Sequence, residues 1–353
     1  MTHVIFIVST TKPYTMGIRG LHICIKKSCP LAVPSVNWSD WQGCRIGIDI
    51  QCFLYRALSR GESPLEAIAA QIVYFKNAGI NIIYIFDGKP PKEKDLVNDK
   101  RNLERRQAID KCGDLKAALS EERDAEKRVA LEAEIRTLES RFPSLTYEMK
   151  DEIKKFLYAS GTMFICASCE ADTLLAYWYR RGVIDAVASH DYDFVARGCR
   201  LLAPGSGAKQ PGVQWEDYNP EKIWRALRLS EAQFVDMCVL LGSDYTPGLP
   251  IVPWKSALTA FQHGDTMEMI WARHTFSNWR QVNMKEKLMA ELVILNKARR
   301  ILCGQDDLPE SMMEDIQWTK WSAGQQKAEP HALNEFKKTY SDWNQTWWSV
   351  LTA

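Results

Sequence analysis

Asn81-Ile-Ile-Tyr-Ile-Phe-Asp-Gly88 is the stretch on which the fold turns. Five apolar residues run together without a polar alternate, so both faces of an extended segment here must be covered. Asp87 and Gly88 then break the run. Three further stretches have the same character: Arg45-Ile-Gly-Ile-Asp-Ile50, Met163-Phe-Ile-Cys166 and Asp185-Ala-Val-Ala-Ser189. The spacers between them are long enough for crossover helices. Ala67 to Lys76 and Ala171 to Arg181 read as such helices, and Gly79 and Gly182 lie just beyond their ends. Strand alternating with helix predicts an α/β protein, with a mostly parallel central sheet and helices on both faces.

Outside this frame the chain changes character. Asp114 to Arg141 is charged, helix-prone and free of Gly and Pro, with Asp124/Arg128 and Glu132/Arg136 at i,i+4 spacing. It predicts a solvated helical insertion within residues 88–160. From 263 to 353 the sequence turns helical and rich in tryptophan (Trp271, Trp279, Trp318, Trp321, Trp343, Trp347, Trp348). Residues 1–15 are expected to lie outside the core, leaving 16–262 as the main domain. That apolar start is short and lacks a basic leader, a poor fit to a signal peptide.

Bulk charge gives little away. The chain has 353 residues and a formal net charge of +1, so any grip on nucleic acid must come from local clusters. No apolar run approaches the roughly 18 residues a membrane span needs. Of ten cysteines, Cys166 and Cys169 are a close pair without a second pair at zinc-ligand spacing. Reduced, mostly buried cysteines in an intracellular compartment are expected, with no zinc.

The chemistry lies where the strands end. Asp49 closes the first run, Asp87 follows the second, Glu170 and Asp172 follow the third, and Asp191 and Asp193 follow the fourth. Ligands of open parallel sheets bind at the carboxyl ends of the strands, so six carboxylates converge there. A seventh, Asp244, follows a helix that opens on the capping-box pattern Ser230-Glu-Ala-Gln233 and runs to Gly242. Seven close carboxylates repel unless a cation neutralises them. Oxygen ligands fit Mg²⁺, with Mn²⁺ as a substitute, better than zinc. Two such ions a few Å apart suit phosphodiester cleavage: one activates the attacking water, and both stabilise the attacking and leaving oxygens.

Met16-Gly-Ile-Arg-Gly-Leu21, Ile48-Asp49, Tyr84-Ile-Phe-Asp-Gly-Lys-Pro-Pro91, Glu170-Ala-Asp172, Ser189-His-Asp-Tyr-Asp193 and Leu240-Leu-Gly-Ser-Asp-Tyr245 resemble, in order and spacing, the motifs of flap endonuclease/XPG-type structure-specific nucleases. The resemblance runs from Met16 to Phe261, and the compact form is similar to nucleases of large DNA viruses. It implies a PIN-like nuclease fold, with the charged insertion as a helical arch for single-stranded DNA. It also implies roles. Asp49, Asp87, Glu170 and Asp172 would serve one Mg²⁺; Asp191, Asp193 and Asp244 would serve the other. Lys94 and Arg101 would polarise the scissile phosphate. Tyr55 would stack on a base, and Gly17 would leave room beside the substrate. Arg105 and Arg106 belong to the basic first part of the arch, where eight Lys/Arg face five Asp/Glu between Lys89 and Lys111.

The match departs after Asp244. There the family carries a helix–hairpin–helix with a Gly-x-Gly turn that holds duplex phosphate with a monovalent ion. This chain has Thr246-Pro-Gly-Leu-Pro-Ile-Val-Pro-Trp254, with one glycine and three prolines, which lack amide donors. Lys255 is left to reach a phosphate. Gln345-Thr-Trp-Trp348 does not make a sliding-clamp motif. The expectation is a monomeric Mg²⁺-dependent 5′ nuclease acting on flapped, nicked or branched DNA in replication, repair or recombination, in the nucleus or at viral replication sites in the cytoplasm. The alternatives are a Holliday-junction-type resolvase, a related RNA exonuclease, or a non-catalytic DNA-binding scaffold that would have lost acidic ligands; none of the seven is missing.

Overall fold

The computed structural model describes residues 17–89, 94–205, 214–249, 252–276, 284–304, 328–343 and 345–352, without side chains at 95–98, 100–101 and 275–291. Residues 1–15, and Met16 with them, lie outside this set.

The expected strands form β1 (Arg45–Asp49), β2 (Asn81–Phe86), β3 (Met163–Cys166) and β4 (Ala186–Ala188). Two more complete a six-stranded sheet of order β3-β2-β1-β4-β5-β6: β5 (Leu201–Pro204) and β6 (Trp215–Tyr218). β1 to β5 are parallel, and β6 runs antiparallel along β5 at the edge. From β1 the chain first builds outward through β2 and β3, then returns to β1's other side with β4. The order therefore reverses between β1 and β4, where ligands of open sheets bind.

Alternation along each strand feeds two cores. Ile83, Ile85 and Val187 face α1 (Leu21–Ser28), α7 (Ala171–Arg180) and α10 (Glu231–Leu241). Ile46, Ile48, Ile82 and Tyr84 face α2 (Ile50–Ser59), α3 (Pro64–Asn77) and α6 (Tyr147–Ala159). Gly47 is required on the first face. A Cβ there would meet Leu175 Cδ2 at 2.4 Å, so its absence lets α7 lie close against β1.

The tryptophan-rich C-terminal region is divided between these cores. α12 (Met267–Phe276) and α13 (Met284–Leu302) add Met267, Ile270, Trp271, Leu295 and Leu302 to the first. α14 (Pro330–Thr339) and α15 (Gln345–Thr352) add Leu333, Trp348 and Leu351 to the second, and Trp343 stacks on Trp348 with centroids 5.5 Å apart. Those helices cover α3 and α6 and shield their apolar faces from water. Trp279, Trp318 and Trp321 lie outside the described side chains.

The charged insertion is helical as expected, with a break inside Asp114 to Arg141. It is a hairpin of α4 (Asp95–Glu121) and α5 (Ala125–Arg141). Asp124 caps α5, accepting from the amides of Glu126 and Lys127 at 2.9 and 3.1 Å. Arg128 donates to the carbonyls of Leu119 and Glu122 at the turn. Asp124 and Arg128 thus build the break instead of pairing along one helix. Lys111–Glu134 and Lys116–Glu139 link the two helices across an exposed surface. All ten cysteines are free thiols. No described helix is long and apolar enough to cross a membrane.

Candidate active site

Each acidic residue is placed by a strand end or a cap. Asp49 leaves β1 and caps α2, Oδ1 accepting from Gln51 N at 3.2 Å while Oδ2 receives Ser189 Oγ at 3.2 Å. Its cap role and its place in the pocket coexist because a carboxylate has two oxygens. Asp87 leaves β2 and accepts from Ala171 N at 2.8 Å. Gly88 makes that approach possible: a Cβ would lie 2.0 Å from Ala167 O, and Gly88 N donates to Cys169 O at 2.7 Å. Glu170 and Asp172 start α7 beside it. Asp191 and Asp193 follow β4, with Asp193 N on Asp191 Oδ1 at 2.9 Å. Asp244 follows α10, whose expected capping box forms in full through Ser230 and Gln233.

Three partners hold this set. Ser189 is wholly buried and touches Asp49 while its Oγ also accepts from Asp191 N at 3.1 Å. Ile18 N donates to Asp193 Oδ1 at 2.7 Å. Gly17, at φ +82°, presses so close that a Cβ would sit 2.5 Å from Asp193 Oδ1 and 2.7 Å from Asp191 Oδ1.

Two cations enter the pocket. Lys94, just before α4, places Nζ 2.7 Å from Glu170 Oε2, 3.5 Å from Asp172 Oδ2 and 3.8 Å from Asp244 Oδ2. Arg197 follows the short helix Asp193–Ala196 and donates from Nη2 to Asp172 Oδ2 at 2.9 Å and to the Tyr245 hydroxyl at 2.6 Å. Arg197 and Ser189 escaped the sequence reading. A hint of Arg197 existed: it is the one charge in Phe194-Val-Ala-Arg-Gly-Cys199, four residues after Asp193.

Charge is the dominant fact of this pocket. Burial, reinforced by Asp87 and Asp191, pushes the Asp49 carboxyl up to about 8. Burial and Asp172 raise Glu170 to about 7, and burial with the neighbouring Asp244 raises Asp191 to about 6. Burial likewise lifts Asp87 and Asp193. Asp172 goes the other way. Burial opposes its charge, but Arg197 and Lys94 outweigh it and hold the carboxyl at about 2. Lys94 stays protonated although burial works against it, because Asp172, Tyr245 and Glu170 surround it.

Tyr55, Arg105, Arg106 and Lys255 fall outside these contacts. Tyr55 is half-buried on α2. Arg105 is tied to the loop after α5, donating to Ser144 Oγ at 3.3 Å, and Arg106 is exposed on α4. Arg101 is on α4, its side chain outside those described. Lys255 is exposed on α11 (Trp254–Gln262), with Nζ 5.7 Å from the Trp254 ring centroid. The rewritten stretch before α11 still turns tightly. Gly242 and Gly248 pack together, a Cβ on Gly248 falling 2.3 Å from Gly242 N, and Arg19 donates to the carbonyls of Leu241 and Pro247. Pro250 and Ile251 are outside the described residues.

Comparison with known proteins identifies the family. The XPG N-terminal domain model matches residues 16–108, and the XPG I-region model matches 161–244. Flap endonuclease 1 of Yarrowia lipolytica is 30% identical over 273 residues, which span 72% of this chain and 70% of that protein. The chain belongs to the XPG family of nucleases. It is therefore an enzyme that hydrolyses phosphodiester bonds. Flap endonuclease 1 of Bos taurus is 28% identical over 73% of this chain and 69% of its own length. Among solved structures, the catalytic core of Rad2 in complex with DNA substrate matches with a TM-score of 0.57 at 17% identity, over 95% of this chain and 98% of that one. The Holliday junction-resolving enzyme GEN1, in complex with product DNA and Mg²⁺, matches with a TM-score of 0.56 at 15% identity, over 94% and 75%.

Proposed function

We propose that this nuclease is a divalent-metal-dependent 5′ nuclease that cuts flapped, nicked or branched DNA, with Mg²⁺ as the working ion. One observation carries the reading: seven carboxylates from four strand ends and α10 meet at the sheet's switch point, beside a lysine at the base of a helical arch. The donor set fits hard divalent cations, being all carboxylate oxygen. Burial and the neighbouring carboxylates push Asp49, Glu170 and Asp191 upward, so a bound cation would favour their charged forms. Among the described residues no three ligating side chains already close on one point. Lys94 lies among three of these carboxylates, on Glu170, Asp172 and Asp244.

Asp49, Asp87, Glu170 and Asp172 are assigned to one ion and Asp191, Asp193 and Asp244 to the other. Bound there, the two ions would supply an acidified attacking water and stabilisation of the leaving oxygen. The chain's own groups do the rest. Ser189 fixes the orientation of Asp49 relative to Asp191. Gly17 lets the chain pass directly over Asp191 and Asp193 without a side chain. Lys94 neutralises Glu170 and Asp172 before metal arrives, and its ammonium is then placed to meet the scissile phosphate, with Arg101 as second donor.

The test is a panel of 5′-flap, nicked, gapped, four-way-junction and single-stranded DNA and RNA substrates with Mg²⁺. Wild-type protein is expected to cut the 5′ flap, and Asp191→Ala to abolish cutting while still binding the DNA. Full activity of that variant would refute the assignment. A junction-resolving activity is the second reading, favoured by the proline-rich turn before α11; preferential cutting of the four-way junction would select it. Roles in replication, repair or recombination follow the substrate that this panel identifies.

A further inference from the structure

We infer that Arg197 is a resident cation of the metal pocket, one that shares Asp172 with the divalent ions and so sets how tightly they bind. This rests on the metal reading above and adds a residue to it.

Arg197 is 4% exposed. Its Nη2 binds Asp172 and Tyr245, while its equally buried Nε has no partner among the described residues. A guanidinium is not buried for packing alone, since its desolvation is costly unless a carboxylate compensates it. Here that carboxylate is one of the seven. Lys94 reaches the same Oδ2, and the two cations lie near the Tyr245 ring, at 4.9 Å for Lys94 and 5.7 Å for Arg197.

The two differ in where they are rooted. Lys94 stands at the foot of the arch, at the start of an exposed hairpin. Arg197 ends the short helix Asp193–Ala196, where Phe194, Val195, Ala196 and Cys199 are all in the core. An incoming divalent ion can displace the lysine side chain toward the substrate. It cannot expel the arginine without opening the core. One positive charge therefore stays beside Asp172 in the loaded site, and Asp172 Oδ1 already receives Thr173 Oγ1 at 3.1 Å. Asp172 is left as a partly satisfied ligand, and Arg197 weakens divalent binding by direct repulsion.

Mn²⁺ titration of the DNA-free protein, with free ion counted by electron paramagnetic resonance, tests this without reference to catalysis. Arg197→Gln keeps a donor and removes the charge; it is expected to bind Mn²⁺ about tenfold more tightly. Arg197→Lys keeps the charge and should stay within about threefold of wild type. An Arg197→Gln affinity equal to wild type, or a loss shared by both variants, would overturn the inference in favour of a plain structural brace. Should Arg197→Gln not fold without metal, Tyr245→Phe decides. It removes the guanidinium's other partner at constant charge and should leave Mn²⁺ affinity unchanged, whereas a large loss would point to the brace. Wild-type protein that binds no Mn²⁺, or binds it unaltered by Asp191→Ala, would instead refute the metal reading itself.

Discussion

Gly17 shows how much one residue contributes to this pocket. It combines a left-handed backbone with a contact to two carboxylates that leaves no room for a methyl group. Alanine there would cost about 1–2 kcal/mol in backbone strain. It would also drive outward Asp191 and Asp193, two carboxylates of the proposed metal site. Gly17→Ala should therefore lose activity on the order of a hundredfold with a small fall in melting temperature, since misplacement by about 1 Å has that scale of effect. Single-turnover cleavage beside a thermal melt reads the two separately; equal, slight changes in both would show that the contact is dispensable. The acidic residues were legible in the sequence because a parallel sheet delivers strand ends to one edge. Arg197 and Ser189 were not, because their partners are set by tertiary packing: Ser189 ends an apolar strand, and Arg197 meets Asp172 across 25 positions.

At the level of elements, continuous apolar runs revealed β1 to β4, and β5 and β6 stayed hidden. Leu201-Leu-Ala-Pro204 is short and ends in proline, and Trp215-Glu-Asp-Tyr218 carries two acids at the sheet edge. The edge tolerates them because Arg200 makes paired bonds to Asp217 at 2.9 and 2.6 Å and Lys26 binds Glu216. The arch hid its turn for a different reason. With no Gly or Pro, the break depends on Asp124 as a cap and on Arg128, whose i,i+4 spacing is equally the pattern of an unbroken helix. Asp124→Ala should destabilise the start of α5 by about 1 kcal/mol, the ordinary loss of a cap. Hydrogen exchange at the amides of Glu126 and Lys127 would then accelerate by about fivefold relative to wild type. Unchanged protection would mean that Arg128 alone fixes the turn.

Across the whole molecule, the acidic pocket is a source of instability that metal should relieve, and the sign of its pH dependence follows from the shifts. Unfolded carboxyls titrate near 4. Asp49 at about 8, Glu170 at about 7 and Asp191 at about 6 all hold protons in the folded chain that the unfolded chain has released. The native state thus binds more protons between about pH 4 and 8, so metal-free stability must fall as pH rises through that window and level off above it. Asp172, held at about 2, contributes oppositely: its stabilisation is present above pH 4 and is lost only in acid. Divalent ions compete with the protons for the same oxygens, so they should add most where the protons are gone. Melting curves at pH 5, 6, 7 and 8, in chelator and in saturating Mg²⁺, read this directly. In chelator the melting temperature should decline toward pH 8, by about 2 °C for each kcal/mol lost. The rise produced by Mg²⁺ should be larger at pH 8 than at pH 5. A Mg²⁺ effect of equal size at both ends would mean that the protons and the ions occupy different places, and the clustered carboxylates would not be the metal site.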